Sequence, residues 1–214
     1  MNIELIKLDS KRTRNYFLIG LLFSLSGCFG VTKTFADKKY FLIEGDSVRA
    51  GEVKSAPKGS VLKIRRFSIS QKFEGKEFVY RKDNVNYESD FYNSFFISPS
   101  SNLREELVKG LLSRKIFEWD AGQNTRLEPT HFIEGTVSEL YGDFRSSPKA
   151  ILSLDLLIYT ENAGNPTIVF RKIYSRSLDI QTKEAGDLVS GWNQAMTQIL
   201  TDIESDLKGK IETK

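Results

Sequence analysis

Hydrophobic and polar positions along the chain fall into two periods, with one unbroken apolar run ahead of them. The run covers ten residues from Tyr16 to Leu25. After it, period-two segments dominate. Lys39 to Ile43 is rich in aromatic and branched side chains and predicts a first strand, stopped by the turn-forming Gly45 and Asp46. Ser47 to Ser60, with Gly51, Pro57 and Gly59, predicts a loop, and Val61 to Phe67 a second strand. Phe78 to Arg81 and Val85 to Tyr87 flank the polar turn Lys82, Asp83, Asn84, which predicts a hairpin within Lys76 to Tyr87.

The period then changes to that of a helix. Ser98 is a cap residue, Pro99 suits the first helical position, and Asn102 precedes Glu105 by three. Leu103, Leu107, Leu111 and Leu112 make one stripe, so a helix is expected to about Lys115, packed on a sheet. Phe117 to Trp119 reads as a short strand before the polar loop Asp120 to Glu128. Three long strand-like runs follow, His131 to Tyr141, Ala150 to Thr160 and Thr167 to Ile180, separated by turn formers in 142–148 and 162–166. A final helix from about Lys183 to Lys208 carries the stripe Leu188, Trp192, Ala195, Met196, Ile199, Ile203 and Leu207, a core-facing pattern rather than a ligand box.

These elements predict an α+β domain: a small, mostly antiparallel sheet covered by two amphipathic helices. The domain is expected over 39–208, with 209–214 as a tail. Composition agrees with one globular core, since 40% of the 214 residues are hydrophobic and 12% aromatic.

The leading run reads differently. Lys7, Lys11, Arg12 and Arg14 precede it, and ten apolar residues suit a secretory signal but fall short of the roughly 20 that span a bilayer as a helix. Leu25, Ser26, Gly27 and Cys28 then resemble the bacterial lipobox. Small residues at Ser26 and Gly27 let the backbone enter a peptidase cleft, and the thiol of Cys28, the only cysteine in the chain, accepts lipid. The reading is a signal peptide over 1–27, a lipidated Cys28 and a tether over 28–38. More than one long acyl chain gives a firm membrane anchor where a single chain is marginal. Cleavage before Cys28 removes four of 31 basic and two of 28 acidic side chains, and the nearly balanced remainder gives no basic face for nucleic acid. Phe29, where Asp would favour retention in the inner membrane, points to the outer membrane.

Chemistry is sparse. One Cys and one His exclude the usual cysteine- and imidazole-rich metal clusters, and no phosphate-binding glycine loop occurs, so no cofactor and no metal are expected. His131 could act as a general acid or base, yet with no nucleophile motif beside it a surface histidine at a strand edge is the simpler expectation. Glu105 with Glu106, and Asp202 with Glu204 and Asp206, read as solvated helix faces. The densest unexplained feature is aromatic. Phe91 to Phe96, with Tyr80 and Tyr87, is either core or a platform for a partner or lipid tail; Tyr80, Tyr87, Phe95 and Phe96 are the candidate partner surface.

Several of these segments together are similar to one family, the auxiliary lipoproteins of ABC-type transport, of the paraquat-inducible protein C type. The residues carrying the resemblance are Leu25 to Cys28, Tyr40 to Ile43, Phe78-Val79-Tyr80-Arg81, Val85-Asn86-Tyr87, and Phe95 to Pro99 leading into Leu103, Leu107 and Leu111. Phe95 or Phe96 departs from the family's tryptophan, while Pro99 conforms. The resemblance implies a fold like the first domain of the TolB translocation protein. It also implies a non-enzymatic, periplasm-facing lipoprotein working with a mammalian-cell-entry (MCE) domain protein and an inner-membrane ABC permease and ATPase, and in some members a homo-oligomeric ring. The substrates implied are phospholipids or other hydrophobic compounds. The alternative is an envelope assembly lipoprotein supporting an outer-membrane or surface complex; a third reading is a lipoprotein hydrolase using His131 and a nearby carboxylate.

Overall fold

A computed structural model describes residues 37–45, 55–122 and 125–211. The signal run, Leu25, Ser26, Gly27 and Cys28 lie outside these. The described residues belong to one compact unit. Its strands are β1 (Lys39–Phe41), β2 (Val61–Ile69), β3 (Glu77–Arg81), β4 (Tyr87–Phe95), β5 (Trp119–Asp120), β6 (His131–Asp143), β7 (Lys149–Asn162) and β8 (Asn165–Asp179). Helix α1 spans Pro99–Ser113, α2 spans Ala185–Leu207, and a 3-10 turn covers Gln71–Phe73.

The sheet corrects the expectation of a small, mostly antiparallel, TolB-like layer. It has eight strands and is mixed. β6, β7 and β8 form the antiparallel meander, and β3 and β4 the antiparallel hairpin. Parallel pairing joins β1 to β4, β2 to β5, and both β2 and β3 to β6. β6 organises this arrangement. One edge pairs with β7 along its length, while the other pairs with β2 from His131 to Val137 and with β3 at Gly142 and Asp143. Where β2 leaves, the Ser70 N–H donates to the Val137 carbonyl at 2.8 Å and the 3-10 turn begins. Phe73 on that turn stacks on Tyr141. Turn signals mark sequence-adjacent hairpins, but parallel partners distant in the chain leave no local mark, so four of the pairings are invisible to periodicity.

Both helices cover one face. Ala150, Leu152, Leu154, Leu156 and Ile158 alternate along β7 into the core, as period-two geometry requires. The α2 stripe from Leu188 to Leu207 is buried as anticipated, with the Trp192 indole N–H donating to the Ile151 carbonyl at 3.1 Å. α1 begins where expected, Ser98 accepting from the Ser101 N–H, and buries Leu103, Leu107 and Leu111. Gly110 makes the helix contact possible, because a Cβ there would lie 2.5 Å from both terminal carbons of Leu200. Ile211, assigned to the tail by sequence, is buried against this core. The opposite face is polar at its centre, where Ser153 donates to Glu139 and contacts Ser175, and Arg171 pairs with Asp155.

Candidate functional site

The aromatic hairpin divides the sequence-nominated residues between core and surface. Between the pairs Val79 with Ser89 and Glu77 with Ser94, β3 advances two residues while β4 advances five, so three extra residues form a bulge. Asp90 fixes its shape. One carboxylate oxygen accepts from the backbone N–H groups of Tyr92 (2.7 Å) and Asn93 (3.0 Å); the other accepts from Tyr80 Oη (2.5 Å) and Asn93 Nδ2 (2.7 Å). Burial pushes the Asp90 pKa upward, but these donors outweigh it and hold the carboxyl below its ordinary value. The Tyr80 hydroxyl moves the other way, raised first by burial and then by its bond to Asp90. Tyr80 is half-buried and stacks on Phe144 at 4.9 Å.

The bulge presents Phe91 and Tyr92, 67% and 48% exposed, packed edge to face at 5.2 Å. Beyond it the chain re-enters the sheet. Phe95 is 2% exposed and packs on Phe78 and Trp192, so it belongs to the core and not to a partner surface. Phe96 turns outward, 61% exposed, and meets Tyr40 of β1, itself 57% exposed, at 6.3 Å. Lys38 lies 4.4 Å over the Phe91 ring, and Lys76 Nζ donates to the Phe96 carbonyl at 3.1 Å. Tyr87, at the other end of β4, is also exposed and leans on Tyr141. Val85, expected in the strand, sits in the exposed turn instead. Tyr40 escapes sequence reasoning because its strand pairs in parallel with a distant segment. The aspartate just before Phe91-Tyr92, a residue type that bonds its own downstream backbone, was the available signal for a bulge.

The remaining candidates are structural. His131 is 1% exposed, not at the surface; its ring lies against Phe117 and its Nδ1 is 2.9 Å from Thr130 Oγ1. Burial lowers its pKa and favours the neutral imidazole. Glu106 is buried, accepting from the Gly45 N–H at 2.8 Å, which replaces the solvated face expected of it. Asp206 accepts from Lys172 and Tyr174, and Asp202 from Arg176, so both tie α2 to β8. A cleft of about 480 Å³ lies between the C-terminal ends of the helices, where Arg114 and Glu204 approach at 3.7 Å. Among the described residues no three His, Cys, Asp or Glu side chains could hold a metal ion together, and no helix is long and apolar enough to cross a membrane.

No family model and no curated protein matches the chain. Solved structures do. An uncharacterized protein superposes with a TM-score of 0.62 at 17% identity, covering 80% of this chain and 99% of its own. Protein XCC0632 from Xanthomonas campestris, of family DUF330, gives 0.58 at 11% identity over 75% of this chain and 97% of its own. At such identities the likeness shows a shared fold.

Proposed function

We propose that the protein is a lipid-anchored, periplasm-facing accessory component of an MCE-type ABC transport system that moves phospholipids or other hydrophobic compounds between membranes. The observation that carries this reading is the placement of the sole cysteine, Cys28, directly after Leu25, Ser26 and Gly27 behind an apolar run of signal length. The motif resembling the family, Phe78 to Arg81, supports it by forming a strand inside the sheet, where a sequence shared for packing would belong. The inventory of the described residues supports an adaptor over an enzyme, since the one imidazole is buried, and burial lowers its pKa. Attachment is to the outer membrane. Partner contact falls to Tyr87, which stays exposed at the end of β4 away from β1.

Affinity purification of the full chain from its native membranes in mild detergent tests the reading. An MCE-domain protein and its permease should co-purify. Recovery of only envelope-assembly proteins would move the protein to the assembly class.

A further inference from the structure

Tyr40, Phe91, Tyr92 and Phe96 gather on one surface although they come from β1, from β4 and from the residue just past β4. Lys38, just before β1, and Tyr40 within it each touch an aromatic of the neighbouring segment: Lys38 the Phe91 ring on β4, Tyr40 the Phe96 ring just past it. Other exposed large apolar residues include Ile168 and Ile173 on β8 and Trp119 on β5. This group is therefore a patch, and patches of this kind need a partner.

Three observations select the partner. The first is rigidity: the Asp90 carboxylate uses both oxygens to hold the bulge, so Phe91 and Tyr92 are presented without further ordering. The second is charge. Lys38 and Lys76 make direct contacts at the patch, and of the carboxylates near it, Asp37, Glu77 and Asp90, the last is occupied by four hydrogen bonds. Aromatic rings flanked by ammonium groups match the headgroup layer of a bilayer with anionic lipid. The third is position. Nine peptide units separate Cys28 from Asp37, and a chain of that length reaches at most about 30 Å, so the patch adjoining Lys38 stays near any membrane that holds Cys28.

We propose that Tyr40, Phe91, Tyr92 and Phe96 form an interfacial foot that seats in the phospholipid headgroup layer of the membrane holding the Cys28 anchor. The proposal rests on the lipid-anchor reading of Cys28. It gives the domain a fixed orientation on the bilayer, aromatic foot down, and leaves the Tyr87 end of the hairpin for protein contact.

The test uses the lipidated full-length product in vesicles of phosphatidylethanolamine and phosphatidylglycerol. With Cys28 blocked by lipid, Tyr92→Cys and Ile173→Cys each introduce one thiol at an exposed position for an environment-sensitive fluorophore. Headgroup-linked nitroxide lipids should quench the label at 92 several-fold more than the label at 173. Equal quenching at the two positions in protein that floats with the vesicles would overturn the foot and leave the anchor standing. Protein that fails to float and takes a second label at Cys28 would overturn the anchor and the foot together.

Discussion

Asn102 completes the backbone hydrogen bonding of Ile43. Its Oδ1 accepts from the Ile43 N–H at 2.7 Å, and its Nδ2 donates to the Ile43 carbonyl at 2.9 Å. One side-chain amide on α1 thus stands in for a neighbouring strand just past β1, where Ile43 is fully buried. The neighbouring Glu106 repeats the device for the N–H of Gly45. Through these contacts the segment that carries Tyr40 is fastened to the first helix.

Asn102→Ala leaves both polar groups of Ile43 buried without partners, at about 1 to 3 kcal/mol each. The urea midpoint should fall accordingly, a loss of roughly 2 to 6 kcal/mol for the pair. A midpoint within error of the native protein would show that Ile43 is not held this way.

Two glycines of α2 predict opposite effects from one substitution. A Cβ on Gly191 would lie 2.5 Å from Ala150 Cβ and 2.7 Å from Ile180 Cγ2, so Gly191→Ala should destabilise by about 1 to 3 kcal/mol through overpacking against β7. Gly186 has open space around it, and Gly186→Ala should stabilise by about 0.5 to 1 kcal/mol from reduced backbone entropy in the unfolded chain. Thermal melts of the two variants should shift in opposite directions; shifts of one sign would contradict the packing of α2 on the sheet.

His131 makes stability depend on pH in a known direction. Burial holds the imidazole below its ordinary pKa of 6.5. As pH falls below about 6.5 the unfolded chain takes up a proton that the folded chain refuses, so stability is full above that value and declines below it until the folded pKa is reached. Because the chain has one histidine, His131→Phe should remove most of the difference between melts at about pH 7.5 and about pH 5.5. An undiminished difference in the variant would assign the effect to carboxylates.

Asp90 should control the bulge alone. Asp90→Ala removes the acceptor for the N–H groups of Tyr92 and Asn93, and their amide hydrogen exchange should accelerate while that of β6 and β7 is unchanged. Protection at Tyr92 and Asn93 that survives the substitution would mean the bulge is held by other contacts.

The helices were largely legible in the sequence because their signals are local. Ser98 and Pro99 mark the start of α1, and the spacing from Leu188 to Leu207 marks the buried stripe of α2. The meander of β6, β7 and β8 was legible for the same reason, since turn formers separate its strands. The parallel neighbours of β6 were not, because β2 and β3 approach it from far away in the chain. Asn102 illustrates a second limit: its position three residues before Glu105 mimics a capping pattern, while its side chain serves a residue 59 positions earlier. At the hairpin, Phe95 and Phe96 are adjacent aromatics of equal hydrophobicity. Strand alternation sends one to the core and the other outward, and the register deciding which is set by the bulge, a feature no local period reports.

The central claim, an adaptor that meets an MCE-type protein while anchored at Cys28, is tested most directly by a photo-crosslinking residue in place of Tyr87, activated in native membranes and followed by mass spectrometry of the adduct and of Cys28. The account predicts an MCE-domain protein crosslinked at position 87 to a chain whose N-terminal residue is an acylated Cys28. A crosslink to assembly machinery only, or a chain with Cys28 unmodified, would contradict it.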